Sequence, residues 1–523
     1  MSIVMKKFLW CFSVLLMVFA GSMMVQAADD SKEIHSVFHQ QNQSIQSHPI
    51  GQRIIVKFKV PTRSINVANN RVISINQQLN TDFQFRRLMS GQAEVWEVNG
   101  FDRSQYSQLS AVIQQLNQDP AIEYAEVDDW MVAHRVPNDS LYNQQWHYKD
   151  TVPGMRLPGA WDISTGSMSV NVAVLDTGYR PHVDLVGNVV NEYDMIDDLF
   201  MANDGDLRDA DAQDPGDAVT QNECGYPHNA RDSSWHGTHV GGTVAAVSDN
   251  AIGVAGVAWN VGLIPVRVLG KCGGYQSDIA DGIRWAAGLN VPGVPDNLTP
   301  ADVINMSLGS TSAGACNNTY QLAIDAAYNA GTTIVTSAGN SNAVANYQPG
   351  NCNNVISVAA SANDGARAYY SNYGATVDIT APGGDGCNPD VDSYPVLADC
   401  EGGVFQGPNR MVLSTHNDGV TSPGADVYNW LQGTSMSAPH VAGLAALIKS
   451  VNQNLTPADI EQIIKDTAEA FATVPDHQCD TSICGAGYAN ATAALQHTLL
   501  TLGPDLIFSN GFESDIIFKN GFE

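Results

Sequence analysis

"VNVAVLDTG", residues 170–178, is an unbroken apolar run that ends on an acid and a tight turn. A short run of Val, Ala and Leu without polar alternation describes a strand buried on both faces. Similar runs follow at "VGLIPVRVL" (261–269), "ADVINMSLG" (301–309), "TTIVTSAGN" (332–340) and "NVISVAAS" (354–361). Helical stretches at 276–288 and 319–329 separate them. This alternation predicts an α/β fold, a parallel sheet with helices on both faces. Sites in such sheets gather beyond the carboxyl ends of the strands. Asp176, Ser307 and Asn340 all fall at such ends.

The chain before about residue 137 has a different character. Lys6 and Lys7 precede an apolar stretch, Phe8 to Val18, and Val25-Gln26-Ala27 closes it with a small-residue cleavage site. Residues 1–27 therefore read as a secretory signal peptide. The run is short and is broken by Ser13, Gly21 and Ser22, which disfavours a retained anchor. Residues 28–50 are polar and read as a leader. "RIIVKFKV" (53–60) and "FQFRRLMSGQAEVWEV" (83–98) supply strands, the second stretch folding back at Ser90-Gly91. "SQYSQLSAVIQQLNQD" (104–119) sets Leu109, Val112, Ile113 and Leu116 at helical spacing. "AIEYAEVDDWMVAH" (121–134) returns to a strand. A helix near 66–80 completes a β–α–β–β–α–β outline, a small ferredoxin-like α+β domain. At the far end "DLIFSNGFE" (505–513) recurs as "DIIFKNGFE" (515–523). Two copies cannot stack into a solenoid, so residues 498–523 are expected to be a processed or mobile tail, with a sorting signal as the other reading.

Charge lies on the later part of the chain. Residues 28–135 carry 12 acidic and 10 basic side chains, whereas residues 136–523 carry 42 and 13, which accounts for the net charge of −29. Such a surface repels nucleic acid and anionic membrane and favours bound cations. Of the nine cysteines, Cys11 leaves with the signal peptide. The remaining eight imply disulfides rather than thiols in a secreted chain. No CxxC occurs, against a zinc ribbon. Sequence leaves the pairing open. Joining neighbours is the simplest scheme: Cys224–Cys272, Cys316–Cys352, Cys387–Cys400 and Cys479–Cys484.

Three residues suggest chemistry only when taken together. Asp176 alone is an ordinary turn acid. His236, in "SSWHGTHVGGTVAAV", could be a core group or a metal ligand. Ser435 opens the helix "SMSAPHVAGLAALIKSV" and could be a cap. Pro439 is tolerated near the first turn of that helix and would damage a later one. As a set, these residues supply an acid to orient a base, a base to take a hydroxyl proton, and a nucleophile. They occur in the order Asp, His, Ser, which is the order of subtilisin. "VAVLDTG", "HGTHVGGTVAA" and "GTSMSAPHVAGLAAL" resemble the three catalytic blocks of the subtilisin-like serine proteases, over roughly residues 137–497.

The resemblance implies roles residue by residue. Asp176 would orient the imidazole, His236 would act as general base and acid, and Ser435 would attack. "TSAGN" resembles the oxyanion segment, so Asn340 would donate its amide beside the Ser435 N–H. Cys272, Gly273 and Gly274 in "KCGGY", with Ser307, Leu308 and Gly309, resemble the two edges that clasp an extended peptide. Ser337, Ala338 and Gly339, with "VANYQPG" (344–350), would line the specificity pocket. No acid stands there, so apolar or broad preference is expected.

Calcium is the implied cofactor. The carboxylates of Asp139 and Asp184, the carbonyls of Val247, Ile252 and Val254, and the Asn250 side chain resemble one family site. A second candidate is the acidic loop "NDGDLRDADAQDPGD" (203–217), with Asp206, Asp209, Asp211 and Asp214. Its spacing is not that of an EF-hand. Residues 28–136, with a folded part at about 51–135, resemble the family's inhibitor-type propeptide, so cleavage near His134 to Pro137 is implied. The expectation is a secreted, monomeric serine endopeptidase made as a zymogen, acting on proteins and peptides, held by its own propeptide, and free of nucleic acid and membrane. An inactive binding homologue is the alternative from another class. A sedolisin-like Glu/Asp site is disfavoured by the intact HGTH block. His440, five residues beyond Ser435, is expected to be structural because it lies around the helix from the nucleophile.

Overall fold

The computed structural model describes residues 53–98, 106–128, 135–149, 151–388, 404–405, 407–474 and 478–502. The signal peptide, the leader, His134 at the start of the implied cleavage segment and the repeated tail lie outside these residues. The chain divides into two units after residue 130.

In the first unit, strand β1 (Arg53–Phe58) leads through helix α1 (Ile65–Leu79) to β2 (Phe83–Leu88) and β3 (Glu94–Val98). Helix α2 (Tyr106–Gln118) and β4 (Ile122–Val127) follow. The sheet order is β2-β3-β1-β4, antiparallel throughout, which is the ferredoxin-like outline. Alternation in β1 buries Ile54, Val56 and Phe58, which meet Val72 and Ile75 of α1 and Leu109 and Leu116 of α2. Ser64 caps α1 by accepting the Val67 N–H, and Asn80 ends it in the left-handed region.

The second unit is built on a parallel sheet. After helix α3 (Leu157–Trp161) come β5 (Asn171–Asp176), β6 (Tyr193–Asp194) and α4 (Leu199–Ala202). Helix α5 (His236–Ala245), β7 (Gly262–Arg267), α6 (Gln276–Ala286), β8 (Val303–Met306), α7 (Asn318–Asn329) and β9 (Thr333–Ser337) alternate next. Strands β10 (Ile356–Ser361) and β11 (Ile379–Pro382) finish one flank, and β12 (Cys387–Asn388) pairs with β13 (Val404–Phe405). A hairpin of β14 (Val412–Asn417) and β15 (Asp426–Leu431) precedes helices α8 (Thr434–Val451), α9 (Pro457–Asp466) and α10 (Ala491–Leu500).

Among the described residues the main sheet has the order β11-β10-β9-β8-β5-β7-β6. All its pairs are parallel. The pleat explains the unbroken apolar runs, because each strand serves two cores. Val172 and Val174 of β5 face α5 and α8, while Ala173 and Leu175 between them face α6 and α7. The α/β reading is therefore correct. Neither β11 nor the β14–β15 hairpin figured in the sequence reading.

Three of the expected disulfides form: Cys224–Cys272, Cys316–Cys352 and Cys479–Cys484. The fourth expected pair, Cys387–Cys400, falls outside the described residues. Among those residues no helix is long and apolar enough to cross a membrane.

Small residues bring α8 onto its neighbours. A Cβ on Gly443 would lie 2.5 Å from Val257 Cβ and 2.7 Å from its Cγ1. Gly to Ala inside a helix normally stabilises by about 1 kcal/mol. Here overpacking should cost about 1–3 kcal/mol and reverse the sign. Thermal unfolding of Gly443→Ala should therefore show a lowered midpoint, and an unchanged or raised one would refute the close approach.

Candidate active site

The strands that carry candidate residues end at one edge of the sheet: β5 at Asp176, β8 just before Ser307, and β9 at Ser337, three residues before Asn340. Asp176 is fully buried, and its Oδ1 accepts the Thr177 N–H at 2.8 Å and stands 2.7 Å from His236 Nδ1. His236 opens α5, and its side chain stays 24% exposed. The next residue must be glycine. A Cβ on Gly237 would lie 2.0 Å from the Gly178 carbonyl oxygen and 3.1 Å from Asp176 Cβ. The Gly237 N–H donates to Thr177 Oγ1 at 3.0 Å. The turn after Asp176 and the first turn of the histidine helix are thus interlocked, which explains why both blocks are rich in small residues.

Ser435 is the second residue of α8. Its hydroxyl donates to the Ser307 carbonyl oxygen at 3.2 Å, and the Ser307 hydroxyl donates to the Ser435 carbonyl oxygen at 2.8 Å. The proline inside α8 explains the second bond. Pro439 has no N–H, so the carbonyl four residues before it, that of Ser435, lacks its helical partner. Ser307 fills the gap. The helix continues unbroken to Val451, so Pro439 does no damage beyond the first turn. Among the described residues no hydrogen bond joins Ser435 Oγ to His236; such contacts are often loose without substrate.

Asn340 reaches the same place from β9. Its Oδ1 accepts the Thr434 N–H at 2.9 Å and the Thr434 hydroxyl at 2.8 Å, which turns its Nδ2 the other way. A Cβ built on Gly433 would lie 3.4 Å from Asn340 Nδ2 and 3.6 Å from Ser435 N. The space in front of Gly433 is therefore bordered by the Asn340 amide nitrogen and the Ser435 backbone nitrogen. Gly433 has φ 151°.

A cavity beside Ser435 is lined by Ser307 to Ser310, Ser337 to Ser341, Tyr347 and Asn372. It gathers Ser307, Leu308, Gly309, Ser337, Ala338 and Gly339 from the sequence reading. No acidic residue lines it. Asn372 did not figure in that reading; a buried amide in an irregular segment leaves no periodic signal. Cys272, Gly273 and Gly274 stand apart from this cavity, beyond β7. Cys272 lies in the left-handed region at φ 67° and is bonded to Cys224, and Gly274 packs so closely that a Cβ would meet Val268 O at 2.2 Å.

His440 is structural. Its Nδ1 donates to the Met436 carbonyl at 2.7 Å, so its Nε2 must accept from His147 Nδ1, at 2.8 Å. Burial pushes its imidazole down to about 4. His236 behaves differently. Burial lowers it, but the Asp176 charge and hydrogen bond, with the nearby charges of Asp217 and Asp214, more than offset this and leave it above the ordinary histidine value.

The expected cation residues separate into two cases. Asp139 and Asp184 are buried side by side without a basic partner among the described residues, and burial raises both carboxyls, Asp184 to about 6. Asp139 Oδ2 accepts the Asp249 N–H at 2.8 Å, and Asp184 accepts the Val254 N–H at 3.0 Å and the Asn250 side-chain amide at 2.7 Å. The carbonyls of Val247, Ile252 and Val254 accept no hydrogen bond among the described residues. Two buried carboxylates beside three free carbonyls fit a hard cation. Asn250 Oδ1 is already taken, by the Ile252 N–H at 2.7 Å.

The acidic loop is different. Asp209, Asp211 and Asp214 each accept the backbone N–H two residues on, at 2.8, 3.0 and 2.8 Å. They are spent on turns. Asp206 is exposed, beside Asp204 and Asp209, whereas Asp214 is buried near Thr177 and Asp217. The structure does not bring the four together. Among the described residues no group of three or more His, Cys, Asp or Glu side chains is placed to hold a metal ion.

This arrangement has the parts of a serine-nucleophile site at the carboxyl edge of a parallel sheet. Residues 167–496 match the model of the subtilase family. An extracellular protease of Xanthomonas campestris pv. campestris is 45% identical over 412 residues, 78% of this chain and 65% of that relative. An extracellular basic protease of Dichelobacter nodosus is 39% identical over 471 residues, 87% of this chain and 72% of the relative. The chain therefore spans just under two thirds of the first relative's length. A solved protease structure from Pseudoalteromonas arctica PAMC 21717 is 52% identical, with a TM-score of 0.63, covering 70% of this chain and 100% of that one. The chain belongs to the subtilase family of serine peptidases.

His236 must be neutral to accept a proton. Peptidase activity should therefore fall as pH drops through a midpoint above the ordinary histidine value of about 6.5. A kcat/KM profile over pH checks this; full activity persisting well below that value would contradict the role of His236.

Proposed function

We propose that this chain is a secreted serine endopeptidase, made as a zymogen, that hydrolyses peptide bonds of extended protein substrates. The observation that carries the reading is the 2.7 Å contact of His236 Nδ1 with buried Asp176, at the sheet edge where Ser435 starts its helix beside Asn340. The names of the extracellular relatives support secretion, and the signal-peptide pattern agrees.

Ser435 Oγ first leaves the Ser307 carbonyl for His236 Nε2. The imidazole takes the hydroxyl proton as Oγ bonds to the scissile carbonyl carbon. The carbonyl oxygen becomes an oxyanion in the space before Gly433, facing Asn340 Nδ2 and the Ser435 N–H. Asp176 stabilises the imidazolium without taking its proton. His236 then protonates the leaving amine, the acyl-enzyme forms, and water repeats the sequence in reverse. The backbone edges at 272–274 and 307–309 would pair with the peptide as an added strand. The uncharged lining of the cavity suits an apolar or broad preference for the residue before the scissile bond.

The first unit would serve as the propeptide, folding chaperone and temporary inhibitor of the same chain, released by cleavage near His134 to Pro137. The mature enzyme would work as a monomer. Asp139 and Asp184, with the carbonyls of Val247, Ile252 and Val254, would hold a structural calcium ion. When bound, the ion neutralises two buried carboxylates. Asn250 would join only by exchanging its present bond to Ile252.

Ser435→Ala should abolish casein cleavage and labelling by a fluorophosphonate, and should leave the precursor unprocessed. If wild-type protein fails to react with the probe, or if the variant still cleaves casein, the binding-only reading takes over. Chelation should lower the thermal midpoint, and added Ca2+ should restore it. At a hundredfold excess over the dissociation constant the stabilisation is about 2.7 kcal/mol. Asp184→Asn should lose most of that response, measured by thermal unfolding with and without calcium.

A further inference from the structure

The oxyanion donor Asn340 stands on an irregular segment. Strand β9 ends at Ser337, and residues 338–343 follow without a helix or strand of their own. Among the described residues Asn340 itself bonds only through its side chain, to Thr434. Something else must fix the backbone that carries it, because a catalytic donor has to be held within about 0.5 Å.

Asn372 does this. It is fully buried. Its backbone N–H donates to the Gly339 carbonyl at 2.8 Å, and its Nδ2 donates to the Ala338 carbonyl at 2.9 Å. Its Oδ1 accepts the N–H groups of Ser341 at 2.9 Å and Ala343 at 3.1 Å. The bonds fall on residues 338, 339, 341 and 343, on both sides of Asn340, and none falls on Asn340. Gly339 makes room for the amide: a Cβ there would lie 2.4 Å from Asn372 Nδ2, and its φ is 102°. The flanking segment is laced to the same strip. Asn342 N–H donates to Tyr370 O at 2.8 Å, and Tyr373 N–H donates to Ala343 O at 3.0 Å. Arg367 donates to Ser371 O and, at 3.0 Å, to Asn342 Oδ1. Asn372 is thus the central bracket of a small network whose one outward-facing product is the direction of Asn340.

We propose that Asn372 is a positioning residue for the oxyanion donor: its side-chain amide grips the backbone on both sides of Asn340 and so fixes where Asn340 Nδ2 points. The proposal rests on the serine-peptidase reading. It implies that Asn372 acts on the transition state, where the oxyanion exists, and little on ground-state binding.

The test uses the secreted, self-processed enzyme and a short chromogenic peptide amide. Asn340→Ala alone should lower kcat about 100- to 1,000-fold. Asn372→Ala should lower kcat about 10- to 100-fold, since a misplacement near 1 Å can cost that much, with KM changed less than about threefold. Asn372→Asp keeps the two acceptor positions but sets a carboxylate oxygen against the Ala338 carbonyl, so its kcat should also fall, again with KM changed less than about threefold. It also serves if the alanine variant does not fold, as judged by its thermal midpoint. In the Asn340→Ala background, Asn372→Ala or Asn372→Asp should cost less than about threefold more, because the group it positions is gone. Multiplying effects in the double variant, or a loss carried by KM, would overturn the proposal and make Asn372 a wall of the pocket. If Ser435→Ala and Asn340→Ala both leave turnover intact, the peptidase reading itself fails.

Discussion

The site depends on one buried charge. Asp176 ends a central strand with no exposure to water, and a carboxylate there is costly unless its surroundings hold it. The Thr177 N–H and the His236 imidazole do so. The helix that brings His236 can reach it only because Gly237 places no side chain against the Gly178 carbonyl and Asp176. Strand, turn and helix start form one contact, and the His236 imidazole is oriented by the same contact that closes the core.

A second constraint concerns the nucleophile's helix. Proline within a helix usually weakens it, yet here it releases the Ser435 carbonyl, which the Ser307 hydroxyl occupies. Ser307 also receives the Ser435 hydroxyl. Two residues far apart in sequence thereby grip each other's backbone at the wall of the cavity.

The sheet was legible because each strand is buried on both faces, leaving unbroken runs such as 170–178 with a polar residue at the end. In the ferredoxin-like unit the strands and the helix over 106–118 were legible from composition and spacing, whereas the helix at 65–79 was placed only to complete the outline, because its sequence carries no clear apolar spacing. Asp176, His236, Ser435 and Asn340 were legible as blocks, and the structure brings them to one edge. Three things were not. In the β14–β15 hairpin, β14 is buried along its whole length although most of its residues are polar, and β15 is mostly half-buried, so neither strand alternates apolar with polar. The aspartates at 209, 211 and 214 look like ligands in sequence, but the turn amides two residues on claim them. Asn372 was missed because its value is the number of backbone groups it satisfies, a property of three dimensions.

The hairpin has a consequence for how such a chain can change over evolution. Asp426 at the start of β15 accepts the Val183 N–H at 3.1 Å, and His182 bonds the Val427 carbonyl at 3.0 Å. Tyr428 packs where a Cβ on Gly253 would collide with it. Four residues after Leu431 the same chain delivers Ser435. At its tip, Val420 O accepts the Ser233 N–H at 2.8 Å, and Trp235 donates to Gly419 O at 2.7 Å. One ribbon therefore links the 182–184 turn, the approach to the histidine helix and the start of the helix that carries Ser435. Insertions in the acidic loop are free to vary at its outer end, but a change in the length of the 418–425 tip must be matched by a change near 216–235. Descendants of this sequence should gain and lose residues in those two stretches together.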